Sequence, residues 1–372
     1  MKLLIVTHVT HKIENNVLWA YGPYVRELRL WQKYTDELII VAPLERDSVT
    51  PIDLPYSNGA IDFREVPSFN ILNLRQVILT MLNLPKIILS VWAASKDCDH
   101  IHLRCPGNMG LVGSIVQIFF RNKPKTAKYA GNWDWSSKQP LTYRIQQLIL
   151  RNTLISKNMK VLVYGDWNET KNILPFFTAS YSNKDIIPTE LRDISPRRTV
   201  NLIFVGRLHS GKQPSKCVDV VNILIRRGIK CRLDFYGSGP ELDSLSQRVS
   251  ELGLDEEIRI HGNVDSIRLI EAYKKAHFLV FLSKSEGWPK AVAESMFWGC
   301  VPLTTPVSCV EEMVGYGDRG DIISLGAPEV ASRIVHYINS SKEYIDKAGR
   351  AMTWSRQYTL EKFEKEIQKL LS

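Results

Sequence analysis

Short runs rich in Val, Ile, Leu and Phe alternate with segments of helical period along most of the chain, in two separate series. Such alternation is the mark of repeated βα units and parallel sheets. The first series predicts strands over Lys2–Val6, Glu37–Val41, Asp62–Val66, His100–Leu103, Lys125–Tyr129 and Val161–Tyr164, with a helix starting at Pro23. The second predicts strands in "TVNLIFVGR", "CRLDFYGSG", "EIRIHGN", "HFLVFLS" and "CVPLTT". A chain of 372 residues exceeds what one core usually serves, so each series is expected to form its own domain. The boundaries expected are 1–180 and 200–354, with "TASYSNKDIIPTELRDISPRR" containing the linker at 181–199. The last segment, about 355–372, is an amphipathic helix with Leu360, Phe363, Ile367, Leu370 and Leu371 on one face.

The chain is 44% hydrophobic and 23% charged, ordinary for a globular protein. "MKLLIVTHVTHK" has too short an apolar run for a signal peptide and reads as the first strand. Residues 71–95 are strongly apolar, but Arg75, Pro85 and Lys86 interrupt them, which argues against a membrane span. They read as a helix on the sheet; the alternative is a surface helix that also touches lipid, with Trp92 near the interface. The six cysteines form no C-x-x-C pair and no metal-ligand spacing, so reduced thiols, a cytoplasmic location and no metal are expected. The net charge of +9 favours an anionic partner: nucleotide, phospholipid surface or nucleic acid. Nothing resembling a nucleic-acid motif accompanies that charge.

Three stretches of the second series carry chemistry. In "FVGRLHSGK" a strand ends at Gly206, and Arg207 and Lys212 follow in a loop from which two cations can reach one diphosphate. The bland alternative is a basic loop without a ligand. "DFYGSGPELDSL" places Gly237, Gly239 and Pro240 in a turn between strand and helix; it lacks the third glycine of a dinucleotide fingerprint, and no Walker pattern follows any strand. "SKSEGWPKAVAESMFWGCVP" holds Glu286 and Glu294 with seven residues between them, Pro289 suited to the first helical position and Gly299 to the C-terminal cap. A helix N-terminus at that sheet edge offers unpaired N–H groups to phosphate. Spacing alone leaves two uses for Glu294: a surface ion pair with Lys290, worth only about 0.2–0.5 kcal/mol, or a carboxylate accepting hydrogen bonds from sugar hydroxyls.

In order and spacing, "VGRLHSGK", "YGSGPELDSL", "IRIHGNVD" and "SEGWPKAVAESMFWGCVP" resemble the retaining nucleotide-sugar glycosyltransferases of family 4 (group 1). The resemblance implies the GT-B fold, α/β with two Rossmann-like domains whose parallel sheets face across a cleft, the C-terminal helix packing back on the first. It also implies a role for each matching residue. Arg207, Lys212 and Glu286 would be catalytic, the two cations neutralising the departing diphosphate. Glu294 would hold the ribose, while Glu286 with Gly287, Trp288, Pro289 and Lys290 would hold the donor sugar and its phosphate. Gly206 and Gly237 would border the donor, and Gly262, Asn263 and Val264 would face the base. No cofactor or metal is implied beyond the substrate, a UDP- or GDP-type sugar.

The first half departs from the family pattern. Its first loop has Gly22 alone instead of a glycine pair, and "YAGNWDW" stands where many members carry a histidine. Asn132, Asp134, His8 and His11 are therefore the acceptor-side candidates, with His102 beside Arg104 a further histidine at a strand end. The expected activity is hexose transfer with retention to a glycan or lipid-linked glycan, in synthesis of bacterial cell-surface polysaccharide or glycoconjugate. An anionic membrane surface is a candidate partner, suggested by residues 71–95 and "RNKPKTAK", which would make the protein peripheral on the inner face of the cell membrane. A non-catalytic sugar-nucleotide or glycan binding protein on the same fold is the alternative.

Overall fold

The structure, a computed structural model, describes residues 1–50, 52–56, 59–67, 74–167, 170–195, 198–324 and 326–372. It divides into two compact units, residues 1–177 with 363–372, and residues 178–362.

The first unit runs β1 (Lys2–Val6), β2 (His11–Glu14), β3 (Val17–Tyr21), α1 (Gly22–Gln32), β4 (Glu37–Pro43), β5 (Asp53–Pro55), β6 (Ala60–Val66), α2 (Leu74–Asp97), β7 (His100–Cys105), α3 (Asn108–Val116), β8 (Lys125–Tyr129), α4 (Leu141–Arg151), β9 (Met159–Tyr164) and β10 (Ile173–Phe176). Seven strands form one parallel sheet in the order β10-β9-β8-β7-β1-β4-β6. All six strands predicted for this half are present, four of them two residues longer. The apolar runs are continuous because both faces are covered: Leu3, Leu4, Ile5 and Val6 are all 0% exposed. Of the helix expected from residue 71, residues 71–73 lie outside the described residues.

A three-stranded antiparallel sheet, β2-β3-β5, was not expected from the sequence. Its hairpin turns on Asn15 and Asn16, both left-handed at φ 50° and 59°, the two positive angles that a tight I′ turn requires and that asparagine tolerates. The cue was therefore present in "ENNV".

The second unit runs β11 (Val200–Val205), α5 (Pro214–Arg226), β12 (Cys231–Tyr236), α6 (Leu242–Glu251), β13 (Ile258–Ile260), α7 (Ser266–Lys275), β14 (Phe278–Phe281), α8 (Lys290–Phe297), β15 (Val301–Thr304), α9 (Val310–Met313), β16 (Asp321–Ile322), α10 (Ala327–Asn339) and α11 (Ser341–Ser355). The sheet is parallel, in the order β13-β12-β11-β14-β15-β16. Phe204, Leu233, Phe235, Phe278 and Val280 form the centre of its core, with Val218, Val221 and Leu224 of α5 packed on them.

Within the stretch read as the linker, side chains pack on the second unit. Arg192 donates to the carbonyls of Lys274 (2.8 Å) and Trp298 (3.0 Å), and Ile194 is 1% exposed in the core. The C-terminal helix α12 (Leu360–Leu371) starts later than expected, because α11 occupies the chain as far as Ser355. Its residues from Phe363 onward belong to the first unit, where Phe363 stacks with Phe176 and Phe177 and receives the Lys128 ammonium 4.9 Å from its ring centre.

Candidate functional site

Both parallel sheets reverse their order beside their first strand, and ligands of open α/β sheets bind outside the carboxyl ends of strands at such a reversal. In the second unit this point lies between β11 and β14. The two loops that leave it are 206–213 and 282–289, which contain Arg207, Lys212 and Glu286.

The loop after β11 is shaped by backbone requirements. Gly206 has φ +153°, and its N–H donates to the carbonyl of Tyr236 at 2.9 Å. A Cβ on Gly206 would lie only 3.8 Å from Cε of Lys212, so the lysine stem folds back over the glycine. Gln213 is left-handed at φ 53°, an uncommon state for a side-chain-bearing residue, and Pro214 then opens α5. Arg207 is exposed and makes no ion pair among the described residues.

Lys212 reaches across to the second loop and pairs with Glu286. The two side chains are 19% and 11% exposed, and the ammonium also lies 4.9 Å from the centre of the Phe281 ring. Glu286 takes a further hydrogen bond from the Ser283 hydroxyl. The loops are tied by backbone as well, with Lys284 N–H donating to Gly211 O at 2.8 Å. Among the described residues, the reversal point thus carries two exposed cations, Arg207 and Lys284, and a third, Lys212, held by a carboxylate.

The glycines of the β12 loop have a structural reason. A Cβ on Gly237 would lie 2.0 Å from Gly206 O, and one on Gly239 2.3 Å from Leu208 O. Both permit the β11 and β12 loops to pack backbone to backbone, locked by Leu208 N–H to Ser238 O and Glu241 N–H to Leu208 O, each 3.0 Å. Gly262 is left-handed at φ +67° and accepts from Gly237 N–H, and a Cβ added to it would meet nothing within 4 Å. Asn263 beside it is exposed and Val264 half-buried, so this corner is open to a ligand.

Helix α8 begins at Lys290, with Pro289 as its N-cap and not its first helical residue. No side chain caps it; Val292 N–H turns back to Pro289 O at 3.0 Å, which leaves the Lys290 and Ala291 N–H groups as the open donors of the first turn. Its C-terminus closes as expected: Gly299 at φ +69° donates to Met296 O and Cys300 N–H donates to Ser295 O, the paired bonds of a Schellman end. Glu294 makes no ion pair with Lys290 among the described residues. Its carboxylate accepts from the Ser180 hydroxyl at 2.6 Å and the Tyr273 hydroxyl at 3.2 Å. Burial raises its pKa above the usual glutamate range, partly opposed by the Ser180 bond, the Lys290 charge and the Tyr273 bond. Ser180 lies in the stretch read as linker-adjacent, and no local pattern pointed to it.

A second grouping at this edge was not anticipated. His261 stacks on Tyr236 with ring centres 4.6 Å apart, and its Nε2 lies 2.6 Å from Asp234 Oδ1. The histidine immediately before Gly262 was the available signal.

In the first unit the reversal point lies between β1 and β7. His8, exposed, stands there against Gly107, whose Cβ would lie 2.8 Å from His8 Nδ1. Nearby, Glu27 binds both Arg104 and Lys128. His11 is not at an open edge. It is 0% exposed, with Nδ1 2.8 Å from Val9 O and Nε2 2.8 Å from the Tyr56 hydroxyl, and burial lowers its pKa to about 4. Both nitrogens are occupied, so it is a core residue holding the small sheet. His102 is likewise buried, bonded to Thr126 and packed on Trp31. Asn132 and Asp134 form a turn: Asn132 Oδ1 accepts Asp134 N–H, and the Asp134 carboxylate is taken by Ser136. Among the described residues no group of three His, Cys, Asp or Glu is placed to hold a metal ion.

Residues 192–352 match the family model of glycosyl transferases group 1. The chain is 22% identical over 281 residues to mannosylfructose-phosphate synthase of Agrobacterium fabrum, a match covering 68% of this chain and 61% of that enzyme. It is 23% identical over 140 residues to the GDP-mannose:cellobiosyl-diphosphopolyprenol alpha-mannosyltransferase of Xanthomonas oryzae, 37% of this chain and 36% of the relative. The chain thus spans less than two thirds of the length of these relatives. In three dimensions it resembles the Anabaena protein HepE, solved with UDP and glucose, at a TM-score of 0.66 and 16% identity, over 100% of this chain and 99% of that one. With its two parallel sheets, each in Rossmann strand order, the chain has the GT-B fold and carries a group 1 glycosyl transferase domain.

Proposed function

We propose that this protein is a retaining glycosyltransferase of family 4, moving a hexose from a UDP- or GDP-type sugar to a hydroxyl of a glycan or lipid-linked glycan in bacterial cell-surface polysaccharide or glycoconjugate synthesis. The observation that carries the reading is the pairing of exposed Arg207 with Glu286-bound Lys212 at the reversal point of the second sheet. Charge grows on the diphosphate as its bond to the sugar breaks, and cations already in place stabilise it without reorganisation. These two side chains, with the uncapped N-terminus of α8, supply that stabilisation in place of a metal ion. Glu294 receives the ribose, exchanging the Ser180 hydroxyl for those of the sugar. The acceptor oxygen bonds to the anomeric carbon on the face from which the diphosphate departs, and the acceptor proton passes to the departing phosphate oxygen.

A polyprenol-linked acceptor is favoured by the likeness to a mannosyltransferase whose name specifies such a substrate. The test is a thermal-shift screen against UDP, GDP, ADP, CMP, NAD and common sugar conjugates, followed by product detection with the stabilising donor. One nucleoside diphosphate should stabilise the protein, and Glu294→Ala should weaken the effect. A folded chain that no nucleotide stabilises, and that transfers nothing, would overturn the proposal in favour of a glycan-binding role.

A further inference from the structure

Helix α11 (Ser341–Ser355) turns one stripe away from the core of the second unit. Asp346, Arg350, Thr353 and, just past its end, Gln357 follow one another at helical spacing, and all four are exposed. Gly349 sits in the same stripe, although glycine weakens a helix interior relative to alanine. Outside its own helix, a Cβ added to it would meet only Leu191 Cδ1, at an ordinary 3.7 Å. Packing within the fold therefore does not demand glycine here, and what the missing side chain provides is room.

That room is a cavity of about 600 Å³, within the range of about 300–1,000 Å³ of small-ligand clefts. Its walls all belong to the second unit. The α11 stripe forms one side, Leu191 and Ile345 add apolar surface, and Asp318, Arg319 and Trp354 complete it. Arg319 is held in place by the fold itself: it donates to Met313 O at 3.1 Å and Glu312 O at 2.7 Å, and its guanidinium carbon lies 5.0 Å from the centre of the Trp354 ring. Gly315 makes way for it, since a Cβ there would lie 2.8 Å from that carbon. Arg350 is tied to Asp318 at 2.8 Å.

The chemistry of the walls selects the ligand. Asp318 and Asp346 balance Arg319 and Arg350, so the cavity carries no net charge and gives a phosphate or an anionic surface no advantage over a neutral molecule. Among the described residues, the Asp346 carboxylate, the Gln357 amide and the Trp354 indole N–H make no hydrogen bond. Planar carboxylate, guanidinium and amide groups suit pairs of hydroxyls, and an indole suits the C–H face of a pyranose ring; together they are what a neutral sugar requires. The indole also belongs to a row of rings. Tyr358 lies 4.7 Å from Trp354 and 6.1 Å from Trp288, which stands in the loop that carries Glu286.

We infer that the cavity between α11, Arg319 and Leu191 is a binding site for a neutral oligosaccharide, separate from the residues proposed to hold the donor. The choice of a sugar rests on the proposed transferase reading, under which the glycan being extended is the neutral polyhydroxy molecule at hand. A glycan held there stays within two ring contacts of the Glu286 loop, which raises its local concentration beside the donor.

The experiment is a saturation-transfer-difference NMR titration of the full chain with maltotriose, cellotriose and mannotriose, and with inorganic pyrophosphate in competition. At least one trisaccharide should bind, and pyrophosphate should not displace it. Gly349→Met, which fills the cavity, and Asp346→Ala/Gln357→Ala, two changes at exposed positions, should each weaken that binding about tenfold or more. Gly349→Met puts a good helix former in place of glycine and should melt no lower than the parent, so its loss of binding is not loss of fold. Absence of binding by all three probes, binding that both variants leave unchanged, or displacement by pyrophosphate overturns the inference. So does a dimer in sedimentation velocity that Gly349→Met dissociates, since a second copy would then fill the cavity. Thermal shift with nucleoside diphosphates on the same preparations reads the transferase proposal separately. A parent that answers a nucleotide but no trisaccharide leaves that proposal intact and sinks the cavity's role, and the converse result does the reverse.

Discussion

Replacing Lys212 by Met separates the two consequences of the Lys212–Glu286 pair. The substitution keeps most of the apolar stem over Gly206 and Phe281 and removes the charge. Glu286 is then left 11% exposed with the Ser283 hydroxyl as its remaining described donor. Stranding one member of a fully buried pair costs about 3–5 kcal/mol; here both partners retain some water, so a loss of about 1–2 kcal/mol of stability is expected. Turnover should fall further, by about 10²–10³, the effect of removing one pre-placed group that stabilises charge in a transition state. Urea unfolding and steady-state transfer measured on Lys212→Met, Glu286→Gln and the double variant form a cycle. Stability should recover in the double variant, because no charge is left unpaired, whereas turnover should not. A folded Lys212→Met enzyme with near-parental kcat would refute the argument that this ammonium stabilises the leaving diphosphate.

Gly237→Ala should destabilise by about 2–5 kcal/mol, summing a positive-φ penalty and a backbone clash, since its Cβ would lie 2.0 Å from Gly206 O. Gly228→Ala, at φ +74° with nothing within 4 Å, should cost only about 1 kcal/mol, a contrast measurable by urea unfolding. Because burial raises the Glu294 pKa, acidification should weaken nucleotide binding at a pH above that of an ordinary glutamate, ~4.3. Glu294→Gln should flatten that profile in isothermal titration. The sign for stability is the reverse: a raised folded-state pKa gives a stabilisation that is present below the unfolded value and lost as pH rises through the folded one, so Glu294→Gln should be stabilising near neutrality. Lys347 and Asp321 form a pair 8% and 5% exposed, with the Tyr337 hydroxyl 2.7 Å from the same carboxylate. Lys347→Met should therefore cost about 3–5 kcal/mol in denaturant melts, with partial recovery in Lys347→Met/Asp321→Asn.

What could be read in the sequence was whatever chain-local physics decides. Strands buried on both faces appear as unbroken apolar runs, so "KLLIV" and "NLIFV" were recognisable as strands and their alternation with helices implied two parallel sheets. Arg207, Lys212 and Glu286 were legible for a related reason: they sit in loops directly after strands, and sheet order then brings loops 206–213 and 282–289 together at the reversal between β11 and β14. β10 and β16, four and two residues long at the edges of their sheets, were too short to show a pattern, and of the β2-β3-β5 sheet only the Asn15–Asn16 turn left a local mark. The histidines divide on the same principle. Sequence placed His8 and His11 alike after β1, and only packing distinguishes the exposed ring against Gly107 from the one enclosed by Tyr24, Tyr56 and Phe63. Glu294 marks the limit most clearly. Its spacing from Glu286 was visible, but its partners Ser180 and Tyr273 come from 114 and 21 residues away, and the burial that raises its pKa, opposed by those bonds and by the Lys290 charge, is a property of the folded unit.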